Sequence, residues 1–423
     1  MEAKDDTPRE TDVAVIGGGP AGATAATLVA QQGYQVALFE REEFPRFHIG
    51  ESLMPETYWT FKRLGVLDEL KVSPYVRKYS VQFISDTGKE SRPFYFDEHK
   101  PHECSVTWQV LRSEFDHMLL ENAKSAGVAV EQGVRVREVL FDGDRARGLR
   151  VSQRDGSTRD VTAKVVVDAS GQSTLLSNRL KLRQPDPLLR KGSIWSYFRG
   201  AHRDHGRDEG ATLILHTEDK RGWFWYIPLP DDLVSVGVVS DFNALFKGRR
   251  DHEIIFNEQV QRCAAVGRRL DSAQRVAEFR ATKEFSYTSS QVAGDGWVLV
   301  GDAFGFLDPV YSSGVFLALK SGEWAADAIT DGLSRDDVSA AQLGRWSSEY
   351  LRGLHRMREL VCAFYEGFSF GSFLRRYPQY RGHITDLLIG DLFKESVDEV
   401  FPAMNAMRQE MRTAAQVDHA PRA

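Results

Sequence analysis

A polar leader, MEAKDDTPRETD, gives way at Asp12–Ile16 (DVAVI) to a short β-rich run with no charge interrupting it after Asp12. That is the pattern of a parallel strand buried on both faces. The run ends in Gly17-Gly18-Gly19-Pro20-Ala21-Gly22, after which ATAATLVAQQG reads as an Ala-rich helix closing at Gly33. A second strand, QVALFE, ends in Glu40 and completes a βαβ unit. Further on, Val81–Ile84 begins a sheet segment and VLRSEFDHMLLENAKSAG reads as helix. Val128–Val151 alternates like strands around a turn at Asp142-Gly143, and VTAKVVVDASG (161–171) predicts another buried strand. From about 181 to 279 polar loops alternate with aromatic strands (SIWSYFRG, ATLILHT, GWFWYIPLP, LVSVGVVS), which predicts a mixed or antiparallel sheet inserted into a nucleotide-binding fold. WVLVGDAFGFLDPVYSSGVFLALKSGEWAADAI returns to strand, turn and helix. The tail from about 340 reads as helical, and its aromatic stretch around Phe364–Phe373 is expected to pack as core.

Composition narrows the class. The 423 residues are 42% hydrophobic and 27% charged, which fits a globular enzyme and excludes a disordered chain. A formal net charge of -6 leaves no basic footprint for nucleic acid. Cys104, Cys263 and Cys362 lie far apart with no ligand spacing, so reduced thiols are expected. His202 and His205 fall in a polar run that reads as a solvated loop, and no metal site is expected. The charged start has no signal-peptide pattern and no run of about 18 apolar residues occurs, so a cytoplasmic protein with no membrane span is expected.

Gly17, Gly19 and Gly22 satisfy G-x-G-x-x-G after a strand and at the start of a helix. The first Gly allows the tight turn, the second lets backbone approach a pyrophosphate, and the third lets helix pack on strand. Glu40, ending the second strand, is placed to accept from ribose hydroxyls. These features predict a dinucleotide site without separating FAD from NAD.

The late Gly301-Asp302, with Asp168 and Gly171 in VVVDASGQST and Arg112 in QVLRSEF, resembles the flavoprotein hydroxylase superfamily of the p-hydroxybenzoate hydroxylase type. Read singly, Asp302 also fits a helix N-cap. The resemblance implies an α/β, Rossmann-like FAD-binding fold of the flavoprotein monooxygenase type, with an inserted substrate sheet and a short helical C-terminal region. It divides the chain into a discontinuous FAD-binding domain (1–75, 105–180, 280–335), a substrate sheet (76–104, 181–279) and a C-terminal region (336–423). The implied cofactor contacts are Gly17, Gly19, Pro20, Ala21, Gly22, Glu40, Arg41, Arg112, Asp168, Gly171, Asp302 and Pro309. No second GxGxxG in strand–helix context occurs, so a separate NAD(P)H-dependent flavin reductase is expected.

Within that superfamily, about residues 10–335 resemble the flavin-dependent halogenases. GWFWYIP (Trp223, Trp225, Ile227, Pro228) matches the family's W-x-W-x-I-P, and Phe306, Pro309, Ser312 and Gly314 in FLDPVYSSG match F-x-x-P-x-x-S-x-G. PRFHIGESLMP (45–55), followed by Lys78 in YVRKYSVQF, matches the segment that carries the active-site lysine. By residue type alone, each motif keeps a plain alternative: two same-face tryptophans fit core, SSG fits a turn and cap, and Lys71, Arg77 and Lys78 fit a solvated run.

The resemblance implies reduced FAD, O2 and chloride or bromide acting through a flavin C4a-hydroperoxide and hypohalous acid. Halide would sit at the N–H groups of Ser313 and Gly314. Trp223, Trp225, Ile227 and Pro228 would separate flavin from substrate, and Lys78 would hold the halogenating species. Tyr311 stands where tryptophan halogenases carry a glutamate, which points to a phenol or pyrrole-type ring, free or bound to a carrier protein. Tyr311 itself is a catalytic candidate, and Glu51 is a candidate base. The alternatives are a non-halogenating FAD-dependent monooxygenase, a geranylgeranyl-reductase-like oxidoreductase, and a flavin-binding protein without turnover.

Overall fold

The computed structural model describes residues 9–218, 220–283 and 286–418, so the leader through Pro8 lies outside the described residues. The strand Glu10–Ile16 pairs in parallel with Val36–Glu40 on one side and Thr158–Asp168 on the other. This central place explains its uninterrupted apolar run, with Val13, Ala14 and Val15 fully buried. The sheet runs Ala293–Gly294, Trp297–Leu299, Thr158–Asp168, Glu10–Ile16, Val36–Glu40, Ala129–Gln132. A hairpin of Arg135–Asp142 and Arg145–Ser152 joins the start of Thr158–Asp168 in antiparallel fashion, its turn falling where the alternation broke.

The helix Pro20–Ala30 lies against Ser313–Ser334. A Cβ on Gly322 would come within 2.5 Å of the Ala21 carbonyl oxygen, so this crossing requires glycine. The chain therefore closes its first βαβ unit with a helix from its last third.

The second sheet runs Gln274–Arg275, Lys191–Arg199, Leu233–Asp241, Gly222–Pro228, Thr212–His216, Ser80–Ile84, Phe94–Tyr95. Thr212–His216 and Ser80–Ile84 pair in parallel and the other neighbours antiparallel, which makes the inserted sheet mixed. Arg280–Lys283 also pairs with Lys191–Arg199, extending this sheet past the expected limit at 279. Strand alternation sorts its side chains between two cores. Trp195, Trp223, Trp225 and Ile227 face the main core, while Phe198, Phe224 and Tyr226 belong to a second cluster with Phe256 and Val266.

Those last two residues come from the helices His252–Gln261 and Ala264–Leu270, in a stretch that reads as polar loop. Each is short and buries few apolar positions, which leaves little periodicity to detect. The C-terminal region is helical, and Phe364, Phe368, Phe370 and Phe373 are buried. No described helix is long and apolar enough to cross a membrane.

Candidate active site

The turn after the first strand is built as the glycine spacing predicts. Gly17 has φ +99°, and a Cβ there would lie 2.5 Å from the Ala169 carbonyl oxygen. A Cβ on Gly22 would lie 2.0 Å from the Gly17 carbonyl oxygen, so this position serves close packing of helix on turn. The helix N-terminus at Gly19 has no side-chain cap. Glu40 is buried, and its carboxylate accepts from the N–H groups of Gly18 (2.8 Å) and Glu42 (2.9 Å). It thus braces the loop that it borders.

A cavity of about 790 Å³ lies between the two sheets. The cofactor loop lines it with Gly17, Gly19, Pro20 and Ala21, beside Glu40 and Arg41. Arg112, Gly171, Asp302, Pro309, Ser312 and Gly314 line it from the same half of the molecule. The second sheet contributes Trp195, Thr212, Trp223, Trp225 and Ile227, and the segment after His48 contributes Glu51 and Ser52. Two lining groups are buried without a close hydrogen-bond partner: Glu51 Oε2 and Trp195 Nε1. Buried polar atoms are normally satisfied, so these orphans, with the uncapped helix and open glycine turn, fit a polar ligand such as FAD.

Arg112 is fixed by Asp116, to which it donates twice, at 2.7 and 2.9 Å, and by the Ile49 carbonyl at 2.7 Å. Arg46 donates to the same carboxylate at 3.1 Å. Burial opposes ionisation of Asp116, but the two guanidinium groups more than offset it and hold its carboxyl below the usual range. Burial pushes the Asp302 carboxyl up to about 6, with Arg112 acting against the rise.

Six expected site residues, Lys78 among them, do not line the cavity. Asp168 is fully buried, and its carboxylate accepts from the N–H groups of Ser170 (2.9 Å) and Leu176 (2.8 Å). It shapes the turn that carries Gly171, which does line the cavity. Tyr311 is turned into an aromatic cluster with Phe364 and Phe370, and burial raises its hydroxyl well above the ordinary value. Ser313 is buried between Ser312 and Gly314, which do border the cavity. Pro228 is buried at the end of its strand, and Gly22 is buried in the first turn of the helix Pro20–Ala30.

Lys78 departs from the solvated reading. It lies on the strand Val76–Lys78, paired with Thr107–Gln109, and only 4% of it is exposed. Its amino group donates to Ser52 Oγ (2.8 Å) and the Leu53 carbonyl (3.0 Å). Neither acceptor is charged, and burial pushes the amine down to about 7. Glu51, the residue before Ser52, accepts from the Tyr197 hydroxyl at 2.5 Å. Burial lifts its carboxyl to about 7 against the pull of Tyr197, Ser235 and Arg112.

Trp223 and Trp225 both face the cavity, and Trp195 completes a run of three indoles with centroids 6.1 and 6.3 Å apart. The Trp225 N–H donates to Ser235 Oγ (3.1 Å) and that of Trp223 to the Tyr365 hydroxyl (3.0 Å). Tyr365 in turn donates to Asp308 (2.9 Å), a buried carboxyl raised to about 7 by desolvation. Tyr197 and Tyr365 carry no motif that marks them in the sequence, and Asp308 falls at an unspecified position of FLDPVYSSG; only the fold brings them to this wall.

The FAD binding domain family matches residues 10–322. A 1H-pyrrole-2-carbonyl-(peptidyl-carrier protein) chlorinase of Pseudomonas fluorescens is 32% identical over 416 residues, covering 93% of this chain and 92% of the relative. The corresponding brominase of Pseudoalteromonas luteoviolacea is 33% identical over 387 residues, covering 90% and 92%. The solved structure of a flavin-dependent brominase matches with a TM-score of 0.85 at 29% identity, covering 96% of this chain and all of that one. Similarity of this depth along nearly the full length of both partners makes the chain a member of the flavin-dependent halogenase family, an FAD-binding oxidoreductase that uses halide.

Proposed function

We propose that this halogenase acts on an electron-rich, pyrrole-type ring carried as a thioester on a peptidyl carrier protein, with chloride or bromide as the halogen source. The observation that carries the reading is the end-to-end match to two enzymes of that description. The identity of Tyr311 supports it, because a phenol stands at the position where tryptophan halogenases have a glutamate.

Gly17, Gly19, Pro20 and Ala21 would receive the pyrophosphate at the helix N-terminus, with Gly22 holding the turn. Glu40 and Arg41 would face the ribose side, and Arg112, Gly171, Asp302 and Pro309 the remainder. Reduced FAD, when bound, supplies the electrons that activate O2 for halide oxidation. Its reduction by a separate NAD(P)H-dependent flavin reductase is supported by the lack of a second dinucleotide loop among the described residues.

The remaining roles belong to the chain. The N–H groups of Ser313 and Gly314, at the start of a 22-residue helix, attract halide. Trp223, Trp225 and Ile227 wall the flavin from the ring and exclude water. Lys78, poised between ammonium and amine near neutral pH, donates a proton to the halogenating species. Glu51 lines the cavity and accepts the proton displaced from the ring.

The test combines purified protein, FAD, a flavin reductase, NADH and bromide with pyrrole-2-carbonyl thioester on a holo carrier protein. Free pyrrole-2-carboxylate and a phenol panel run in parallel, with products read by mass spectrometry. A brominated thioester is the expected result. Bromination of free phenols alone refutes the carrier-bound substrate, and a hydroxylated product without halogen refutes the halogenation chemistry.

A further inference from the structure

We infer that the hydroxyls of Ser52 and Thr212 form a donor relay that carries the proton of buried Lys78 to the reacting species in the cavity. The inference rests on the role proposed for Lys78 and adds how that residue acts. Lys78 does not line the cavity, whereas Ser52 and Thr212 do. Both hydroxyl-bearing residues are buried, with 4% and 3% exposed.

Hydrogen-bond valence fixes the direction at both ends of the chain and leaves the Ser52–Thr212 bond free to run either way. An ammonium can only donate, so Ser52 Oγ accepts from Lys78 Nζ at 2.8 Å. The two hydroxyl oxygens lie 2.8 Å apart. Gln109 Nε2 reaches the Gly210 carbonyl at 2.9 Å, and a carbonyl can only accept, so this amide atom is the donor. The same nitrogen lies 2.9 Å from Thr212 Oγ1, which therefore accepts from it.

Ser52 and Thr212 have two hydroxyl protons, and one of them spans the pair. Their remaining proton has no partner assigned by the surrounding protein and is free to point into the cavity that both residues line. With Ser52 donating to Thr212, that free donor is the Thr212 hydroxyl. Gln109 is a positioning residue here, because its N–H occupies a Thr212 lone pair and keeps the threonine proton for the cavity.

In the halogenation step the O–X bond of hypohalous acid breaks and a C–X bond forms at the ring. The departing oxygen takes the Thr212 proton and leaves as water, while Ser52 passes its proton to Thr212 and Lys78 passes one to Ser52. The ring proton goes to Glu51. The sum is HOX + ArH → ArX + H2O, with Lys78 and Glu51 afterwards exchanging protons with solvent.

The experiment compares Thr212→Val, Thr212→Ser, Ser52→Ala, Lys78→Met and the double variant Lys78→Met/Thr212→Val, all first checked for a native-like thermal transition. Bromide and the pyrrolyl carrier thioester are the probes; if the wild type turns over only a phenol, that phenol replaces the thioester. Thr212→Val, isosteric but without a hydroxyl, should lower kcat at least about tenfold with little change in KM, the scale of a lost general acid being about 10²–10⁴. Thr212→Ser should restore most of the rate. The fall of kcat as pH rises through the Lys78 titration should vanish in Thr212→Val, and the double variant should be no slower than Lys78→Met. Full rate in Lys78→Met overturns the lysine assignment and the relay together. A slow Lys78→Met beside fully active Thr212→Val and Ser52→Ala overturns the relay alone.

Discussion

Gly237 tests whether the indole wall is as tight as it looks. It stands directly opposite Trp225 in the paired strand. A Cβ there would lie 2.2 Å from Cζ2, 2.4 Å from Cη2 and 2.5 Å from Cε2 of that indole. Carbon atoms in contact prefer about 3.5–4.0 Å, so Gly237→Ala demands a shift of at least about 1.3 Å. Gly237 is outside the positive-φ glycines, so alanine meets crowding and no backbone strain. Trp225 has Trp195 and Trp223 beside it and donates to Ser235, leaving the cavity as its open side. The indole is therefore expected to swing into the cavity and lose the Ser235 bond. Overpacking costs about 1–3 kcal/mol and a hydrogen bond about 1 kcal/mol, giving a destabilisation of about 2–4 kcal/mol. Urea unfolding measures it, and a flavin fluorescence titration follows the cavity. Gly237→Ala combined with Trp225→Phe, which removes the crowded ring, should be less destabilised than the sum of the single variants. A Gly237→Ala protein within about 0.5 kcal/mol of wild type and with unchanged FAD affinity would refute the tight wall.

Gly22→Ala forces a methyl onto the Gly17 carbonyl, and purified protein should carry little flavin; a full yellow holoprotein would count against the packing role. Asp116→Asn leaves the buried Arg112 and the half-buried Arg46 without their carboxylate and should cost about 3 kcal/mol in urea unfolding, together with weaker FAD binding. The Glu51 carboxyl is raised from 4.5 to about 7, so between those values the native state holds the extra proton and stability falls as pH rises. Glu51→Gln should flatten that slope, and identical pH dependence in both proteins would contradict the assignment. Tyr365→Phe removes the acceptor for the Trp223 N–H and should shift tryptophan fluorescence while the fold persists, as circular dichroism can verify.

The βαβ unit and the inserted sheet were legible because both rest on local patterns. A buried central strand needs a continuous apolar run, and a sheet between two cores needs alternation, as Trp223/Trp225 against Phe224/Tyr226 shows. The glycine loop carries its geometry in its spacing. Lys78 was legible only through family resemblance, since a lysine in KVSPYVRKY gives no local sign that a strand will bury it. Asp168 and Tyr311 show the reverse failure. Residue type and motif made Asp168 a cofactor contact and Tyr311 a catalytic candidate, but the turn claimed the carboxylate and the tail's aromatic cluster claimed the phenol. Tyr197, Thr212, Gln109 and Tyr365 reach the site from elements distant in sequence, and only tertiary structure joins them.

The contact of Ala21 with Gly322 also sets a timetable for biosynthesis. Gly322 is made 301 residues after Ala21. At about 5–20 residues per second this is a wait of roughly 15–60 s. The strand Trp297–Leu299, which borders Thr158–Asp168, arrives almost as late. Throughout that interval the nascent chain displays an unfinished apolar face, and flavin can stabilise only a chain that is nearly complete. Yield in a heterologous host should therefore depend on chaperone capacity during translation and on FAD supply only after residue 322 has emerged.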